Sequence, residues 1–260
     1  MLTEITAVLN QMQPITLEEM KNIRLMDRID SKFVAPVALL PQLLEAMRLY
    51  FSVQINNEKR IAPYTTQYLD TPEREMFVMH QNGKLNRQKI RIRSYVDSAV
   101  SFLEVKNKNN KGRTKKIRIP ISQSHIDTVR ELNENMAFLD KHSVFEAFNL
   151  EPSLANSFDR ITLVNNRKTE RITMDLNLSF YNYRTGKEKT LDKIMILELK
   201  QDGWQHSDFR DILLKLRIKQ IPFSKYCMGL MFTDSQIKYN RFKGRTTMLN
   251  KLLTKRNNIK

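Results

Sequence analysis

The residues best suited to chemistry in this sequence are basic side chains that recur at every second position. In the stretch NRQKIRIRSY, residues 86–95, aliphatic residues alternate with Arg87, Lys89, Arg91 and Arg93. Successive side chains of a β-strand point to opposite faces, so a strand of this sequence has one cationic and one apolar face. One guanidinium group can donate two parallel hydrogen bonds to two oxygens of a phosphate. The stretch therefore predicts a strand whose cationic face is suited to phosphate groups, and leaves open which way that face points.

The same alternation recurs in other stretches of the chain. It places charged residues opposite aliphatic ones in FLEVKNK (Glu104, Lys106), KIRI (Lys116, Arg118), RITMDLNL (Arg171, Asp175) and ILELK (Glu198, Lys200). For any single strand, an ordinary sheet with its charged side in water explains the pattern. For the whole set this explanation weakens, because like charges across neighbouring strands destabilise a solvated face.

The alternative is a sheet whose charged face lines a cavity. We therefore predict an α+β fold, a closed antiparallel β-barrel (tunnel) with helices packed on the outside. A barrel of about eight strands can hold a small ligand. In this orientation, aspartate at Ile90 or Ile92 should damage folding, whereas alanine at Arg91 should not.

The nature of the anion follows from the residues between the cations. Proteins that bind single-stranded nucleic acid interleave aromatic residues for base stacking, whereas here these positions are aliphatic and the cationic face has no aromatic before Tyr95. This favours phosphate recognition without base recognition. The isolated carboxylates Glu198 and Glu104 could hold Mg²⁺ or Mn²⁺ bridging phosphate oxygens, or could simply pair with the neighbouring Lys and Arg residues.

Composition agrees with a folded protein that binds a polyanion. The 260 residues are 41% hydrophobic and carry a formal net charge of +16, which favours an anionic partner. The single Cys227 excludes an internal disulfide, and the four histidines lack metal-ligand spacing. The N-terminus does not resemble a signal peptide, and no run of about 18 apolar residues is present. These features predict a cytoplasmic protein, and association with a membrane through a partner protein stays open.

Periodicity predicts the surrounding elements. Ile5, Val8, Leu9 and Met12 indicate a first helix, and Thr16 with Glu19 indicates a capping box. We expect further helices over residues 36–51, 123–149 and 207–220; Val144 and Phe148 lie on the expected apolar side of the second. We divide the chain into an N-terminal helical segment (1–27), a tunnel domain (28–234) and a basic C-terminal tail (235–260). The tail is either an accessory polyanion-binding segment or a solvated end.

Taken in order, the segments RIDSKF, YLDTPE, KIRIRSY, FLEVK, KKIRI, RITMDLNL, ILELK and FSKY resemble the VTC domain of polyphosphate polymerases, within the triphosphate tunnel (CYTH-like) superfamily. The resemblance extends from about Arg28 to about Gly229. It implies an enzyme, an ATP:polyphosphate phosphotransferase, that transfers the γ-phosphate of ATP onto a growing polyphosphate chain with Mn²⁺ or Mg²⁺. ATP and polyphosphate are the implied partners, without specific nucleic acid.

The resemblance also assigns roles residue by residue. It implies phosphate-binding roles for Lys32, Arg91, Arg93, Lys106, Lys116, Arg160, Arg171, Lys200 and Lys225. Of these, Arg91, Arg93, Lys200 and Lys225 are the expected catalytic residues, and Glu198 and Glu104 are the expected metal ligands. One departure concerns the first strand, where the superfamily has Glu-x-Glu-x-Lys and this chain has Arg28-Ile-Asp30-Ser-Lys32. This difference argues against a triphosphatase or an adenylate-cyclase type of member.

Three alternatives remain open from the sequence. The same site could be that of a hydrolase with water as the nucleophile, or that of a polyphosphate sensor without catalysis. A nucleic-acid binder is the third.

Overall fold

One large antiparallel sheet with helices on its apolar face forms most of the molecule. The computed structural model describes residues 2–23, 25, 28–126, 128–203 and 205–254. The strands are β1 (Pro14–Thr16), β2 (Arg28–Pro36), β3 (Phe51–Ile55), β4 (Ala62–Asp70), β5 (Arg87–Tyr95), β6 (Val100–Lys108), β7 (Thr114–Ile121), β8 (Glu151–Asn165), β9 (Glu170–Asn182), β10 (Glu188–Leu191) and β11 (Ile194–Asp202). The helices are α1 (Leu2–Gln11), α2 (Leu17–Asn22), α3 (Leu40–Met47), α4 (Glu75–Gln81), α5 (Asn133–His142), α6 (Asp208–Lys215), α7 (Lys225–Thr233) and α8 (Lys243–Thr254).

The strand order is β2-β11-β9-β8-β4-β5-β6-β7, with β3 added to β8 and β10 added to β9. Among the described strands, the one parallel pair is that of β1 with β3. Within the described ranges, no pairing joins the end strands β2 and β7. The large antiparallel sheet is therefore present as predicted, and its closure into a barrel stays a prediction.

The free edge of β2 is covered by a segment that follows α6. The backbone N–H of Ile221 donates to the carbonyl of Lys32 at 3.0 Å, and Gln220 forms a β-bridge with Phe33. Four residues further on, this segment continues into α7. It therefore bridges the edge of the sheet and the helix that carries Lys225.

Helices cover the apolar face of the sheet in two groups. Helices α1, α3 and α6 pack on β2, β8, β9 and β11 around Leu9, Leu44, Leu197 and Phe209. Helix α5 packs on β5 and β6, where Ile90 and Ile92 are buried with Phe138 and Leu139. The aliphatic side of each alternating stretch thus faces the helices, and the charged side faces away from them.

Helix α7 lies on the opposite, charged face, at one end of the sheet. Its Tyr226 ring lies 5.0 Å from that of Tyr68, which is paired with Arg91. A Cβ added at Gly229 would come within 2.5 Å of Leu154 and 2.6 Å of Phe180. Only glycine therefore permits this close approach of helix and sheet. The sequence showed no helical periodicity here, because a helix that is buried on all sides is apolar on all sides.

The first helix and its neighbour follow the prediction. Ile5 and Leu9 of α1 are buried, and so is Met12, which directly follows the helix. Thr16 and Glu19 form the expected capping box at the start of α2. These local signals were sufficient because each depends on neighbouring residues alone.

The expected helix over 123–149 is shorter in the structure. Only Asn133–His142 is α-helical, and 3₁₀ turns flank it. The side chain of Asn135 is buried and donates to the carbonyl of Val129, and the hydroxyl of Ser143 accepts from the N–H of Phe145. These local side-chain bonds compete with helix formation. Val144 and Phe148, expected on the buried side, are exposed instead.

Part of the basic C-terminal segment packs on the rest of the protein. Phe242 and Leu249 are buried, and α8 contacts β2. Removing residues after Asp234 would therefore uncover apolar surface, in addition to removing charge. This makes truncation a poor test of whether the segment binds polyanions.

Candidate phosphate-binding site

The charged face of the sheet is shielded from solvent. Arg91 is 7% exposed, Arg93 8% and Glu104 0%. Buried charges are stable only when they are paired or hydrogen-bonded. The partners of each charged residue therefore show what the site can bind.

A first group of charges lies on β5, β6 and β7. Arg91 donates from Nε to Glu104 at 2.8 Å and from Nη2 at 2.6 Å, and Lys116 lies 3.3 Å from the same carboxylate. Burial alone would raise the pKa of Glu104, but Arg91, Lys106 and Lys116 outweigh it and hold that pKa at about 2. Alanine at Arg91 would leave a buried carboxylate with one partner fewer, so it is not the neutral change that strand alternation suggested.

A second group joins β8, β9 and the start of α7. Arg160 donates from Nε and Nη2 to the two oxygens of Asp175, at 2.6 and 2.8 Å. Lys225 donates to the same carboxylate. Burial would raise the pKa of Asp175, yet the charges of Arg160 and Lys225 hold it well below the usual range. Asp175 is therefore ionised at any working pH.

A third group lies on β2 and β11 and contacts the segment between α6 and α7 that covers the edge of β2. Glu198 lies 3.0 Å from Lys200, and Lys32 donates to the carbonyl of Phe223 at 3.3 Å. From the other side, Lys89 of β5 donates to the hydroxyl of Ser224 at 2.9 Å. Cations from β2 and β5, which are not neighbours in the sheet, thus both contact residues 223–224.

Three lysines of this site have pKa values below the ordinary value for lysine. Burial first, and neighbouring cations second, lower the pKa of Lys106 to about 5. Burial likewise lowers the pKa of Lys225 to about 7, and that of Lys89 to about 8. A polyanion placed between them would restore the protonated forms. Burial and mutual repulsion thus disfavour the charged forms of these lysines, and a bound anion would relieve this.

Aromatic rings also lie on the charged face, which the sequence argument did not foresee. Tyr64 and Phe158 are stacked with centroids 5.3 Å apart. Arg160 lies 5.1 Å from both ring centroids, and the Nζ of Lys225 lies 3.9 Å from that of Phe158. Cation–π contact partly replaces water around these charges. The rings come from β4 and β8, so no pattern within β5 could have revealed them.

The structure brings most of the predicted phosphate-binding residues to this one face. Side chains of the three groups include Lys32, Arg91, Arg93, Lys106, Arg160, Lys200 and Lys225, with Glu104 and Glu198 among them. Lys116 lies at the rim, 41% exposed. Arg171 lies on the same face, opposite Lys200 in the pairing of β9 with β11, but its Nη2 donates to the carbonyl of Met20 in α2. Asp175, Lys89 and Ser224 were not on the predicted list, although Asp175 alternates with Arg171 as a member of the charged face.

The residues fit a divalent cation held mainly by phosphate oxygens. Within the described ranges, no three His, Cys, Asp or Glu side chains cluster as a metal site. Among the described residues, Glu104 and Asp175 each form ion pairs with two cations, whereas the ion pair of Glu198 is with Lys200. Burial would raise the pKa of Glu198, but Lys32, Lys200 and Arg160 hold it well below the usual range. Mg²⁺ commonly binds one or two carboxylates together with substrate phosphates. Glu198 is therefore the carboxylate most available to such an ion.

We expect the stability of the ligand-free protein to rise between pH 7 and 8.5. The folded pKa values of Lys106 (about 5), Lys225 (about 7) and Lys89 (about 8) lie below the unfolded value of about 10.4. The unfolded state therefore binds more protons in this window, and the free energy of unfolding increases with pH. The expected gain is at least about 1 kcal/mol per pH unit, measured by urea denaturation.

Two controls define this pH prediction. Lys106→Met should lessen the slope by about 1.4 kcal/mol per pH unit, because it removes the lysine with the lowest pKa among the three, whereas Lys225 and Lys89 still contribute. Lys168→Met, at an exposed turn between β8 and β9, should leave it unchanged. A free energy of unfolding that falls as the pH rises would contradict the prediction.

The fold and the site together define a class of protein: an α+β protein whose antiparallel sheet carries a buried, mostly cationic face suited to phosphate groups. Comparison with protein-family models then gives the family. The VTC domain matches residues 27–233, and the chain belongs to this family. Comparison with curated proteins gives no match. Over the described residues, no helix is both long and apolar enough to cross a membrane.

Several solved structures are similar to this chain. A conserved hypothetical protein of Pyrococcus furiosus has a TM-score of 0.44 and 10% identity, covering 78% of this chain and 99% of its own. The PH1819 protein of Pyrococcus horikoshii has a TM-score of 0.43 and 15% identity, with coverages of 78% and 98%. A Hippeastrum protein described as having a dominant triphosphatase activity has a TM-score of 0.48 and 14% identity, with coverages of 80% and 97%.

Proposed function

We propose that this protein is a polyphosphate polymerase, a metal-dependent phosphotransferase that moves the γ-phosphate of ATP onto a growing polyphosphate chain. The proposal includes a sheet that closes into a tunnel, with the charged face inside. It rests on membership of the VTC family and on the resemblance of the motifs to polyphosphate polymerases. ATP and polyphosphate are its ligands, and the cytoplasm, with an optional membrane-protein partner, is its proposed setting.

One observation carries the proposal most: the buried face holds more cations than carboxylates can neutralise. Arg93 shows this, because its guanidinium bonds only the neutral hydroxyl of Thr66, at 3.2 Å from Nη2, among the hydrogen bonds of the described residues. Burial first, and Arg91 and Arg160 next, lower the pKa of Arg93 to about 10. A linear polyanion is the ligand that would pair with cations from several strands at once.

The mechanism needs positioning more than acid–base chemistry. Phosphoryl transfer passes through a loose transition state whose charge must be stabilised. Arg91 and Arg93 would bind the phosphates from β5, Lys200 from β11 and Lys225 from the start of α7. The nucleophile, the terminal phosphate of the acceptor chain, is anionic at neutral pH. A strong general base is therefore not required.

A divalent metal would be held by Glu198 together with phosphate oxygens. Mn²⁺ or Mg²⁺ bound there supplies positive charge beside the phosphate that is transferred. Lys200, two residues away on the same face of β11, keeps Glu198 oriented towards the ligand. Glu104 is the weaker candidate, since Arg91 and Lys116 already occupy its oxygens.

The decisive experiment is incubation of the purified chain with ATP and Mn²⁺ or Mg²⁺, followed by gel analysis of polyphosphate. Polymer that a polyphosphatase digests would support the proposal. Release of orthophosphate without polymer would indicate the hydrolase instead. Binding of polyphosphate with neither product would indicate the sensor. EDTA should abolish polymer formation, and Glu188→Gln, on exposed β10, should not change it.

A further inference from the structure

We propose that Asp175 is an internal counter-anion that takes the place of a phosphate group when no phosphate chain is bound. It positions Arg160 and Lys225, and it weakens the binding of phosphate chains enough for a chain to move on after each transfer. The part that concerns chain movement rests on the proposed function. The part that concerns positioning and affinity requires only that the site bind phosphate chains.

The geometry around Asp175 resembles that of a bound phosphate. Asp175 is 3% exposed and lies on the charged face of β9. Its two oxygens accept a two-pronged contact from Arg160, at 2.6 and 2.8 Å, and one oxygen also accepts from Lys225. Planar two-pronged contacts of this type are how arginine binds both carboxylates and phosphates. Asp175 thus occupies donors that a phosphate group would otherwise use.

The two cations reach Asp175 from separately anchored elements. Arg160 comes from β8, next to β9 in the sheet. Lys225 begins α7, whose neighbouring Tyr226 donates to the buried carboxylate of Asp70. At the other end of α7, Asp234 pairs with Arg74 at 2.6 Å. Asp175 is therefore one of the links between the sheet and a helix that is fixed at both ends, and it is the one made through Lys225.

The other two carboxylates of the site do not have this role. Glu104 pairs with Arg91 and Lys116, which come from strands on either side of it. Glu198 pairs with Lys200 of its own strand. Asp175 alone among the three joins predicted phosphate ligands of a strand and a helix. The remaining N–H groups of both cations stay available, so a phosphate can approach before the carboxylate is displaced.

The expected result concerns Asp175→Asn, which keeps the size of the side chain and removes its charge. The variant should bind inorganic tripolyphosphate about tenfold more tightly than the wild type, because the anion no longer faces a negative charge at close range. Without ligand it should melt several degrees lower, because Arg160 and Lys225 lose their counter-ion. In the polymer assay both KM and kcat should fall.

The test uses the whole 260-residue chain. Tripolyphosphate binding is measured by isothermal titration calorimetry in the absence of metal, and thermal melting is measured with and without tripolyphosphate. Asp159→Asn is the matched control, because Asp159 lies one residue from Arg160, is half-buried and accepts a hydrogen bond from the exposed Asn177. It removes the same charge from the molecule, and its affinity should stay within about twofold of the wild type. Asp175→Glu, which keeps the charge, should also bind no more tightly.

Each outcome decides the matter. Tighter binding together with lower stability supports the proposal, since damage to the fold would weaken both. If the Asp175→Asn variant can be purified as folded protein only when tripolyphosphate is present, this result supports the proposal as well. Unchanged or weaker binding would overturn it, and so would failure to recover the variant even with tripolyphosphate. None of these outcomes depends on polymer formation, so failure of the polymerase assay in the wild type would be a separate result.

Discussion

Replacing Glu198 by glutamine should reduce polymer formation about 100- to 1000-fold, the usual effect of losing one electrostatic contact at a reacting centre. Glutamine keeps the size and polarity of the side chain, but it no longer attracts a divalent metal. The cations that hold the triphosphate in the ground state remain. We therefore expect the variant to bind a non-hydrolysable ATP analogue within a few-fold of the wild type, measured by titration beside the polymer assay.

Two controls accompany this variant. Glu188→Gln makes the same chemical change at an exposed position of β10 and should preserve the activity. Circular dichroism should show the same fold in both variants. Polymer formation at close to the wild-type rate would mean that Glu198 serves only as the ion-pair partner of Lys200. Loss of analogue binding would mean that the metal contributes to ground-state binding.

Aspartate at Ile90 should damage folding by removing a large part of the stability, whereas methionine at the nearby Arg93 should not. Ile90 is fully buried among apolar residues, and an unpaired buried charge costs about 3–5 kcal/mol. Typical domains have only about 5–15 kcal/mol of stability. Replacing a buried cation by a well-packed apolar residue is often neutral or stabilising. Arg93→Met should therefore unfold in urea at or above the wild-type midpoint.

The same Arg93→Met variant should bind tripolyphosphate about 10- to 100-fold more weakly, since a hydrogen bond to a charged group is worth about 1.5–3 kcal/mol. Ile90→Val is the matched control for the apolar position and should fold normally. Loss of stability in Arg93→Met without loss of binding would show that the arginine is structural. The charged face would then not be a phosphate site.

The alternating strands could be predicted from sequence because their signal is local. Within β5, a residue and its second neighbour necessarily share a face, so Arg91 and Arg93 could be assigned to one side and Ile90 and Ile92 to the other. The inverted orientation also followed, since like charges in such density are unfavourable on an open face. The capping box of α2 depended on residues three positions apart.

What could not be predicted depends on contacts between distant parts of the chain. Helix α7 is surrounded by protein, so it lacks the apolar stripe that identifies a surface helix. The role of Asp175 depends on Arg160 and Lys225, which are brought together by the sheet and the helix. Tyr64 and Phe158 stack across two strands. Contacts between residues so distant in sequence are fixed by tertiary structure and leave no periodic pattern in the sequence.

The pairing of β2 with β11 sets the order in which the chain can fold. β2 ends at Pro36 and its strand partner begins at Ile194, so most of the chain must be synthesised before this ladder can form. Contacts so distant in sequence slow folding, because loop closure has to precede them. Until β11 emerges from the ribosome, β2 presents two unpaired edges, which can pair with other chains. Co-expression of chaperones that bind extended segments should therefore raise the soluble yield of this protein. The gain should exceed that from substitutions that slow unfolding of the folded protein.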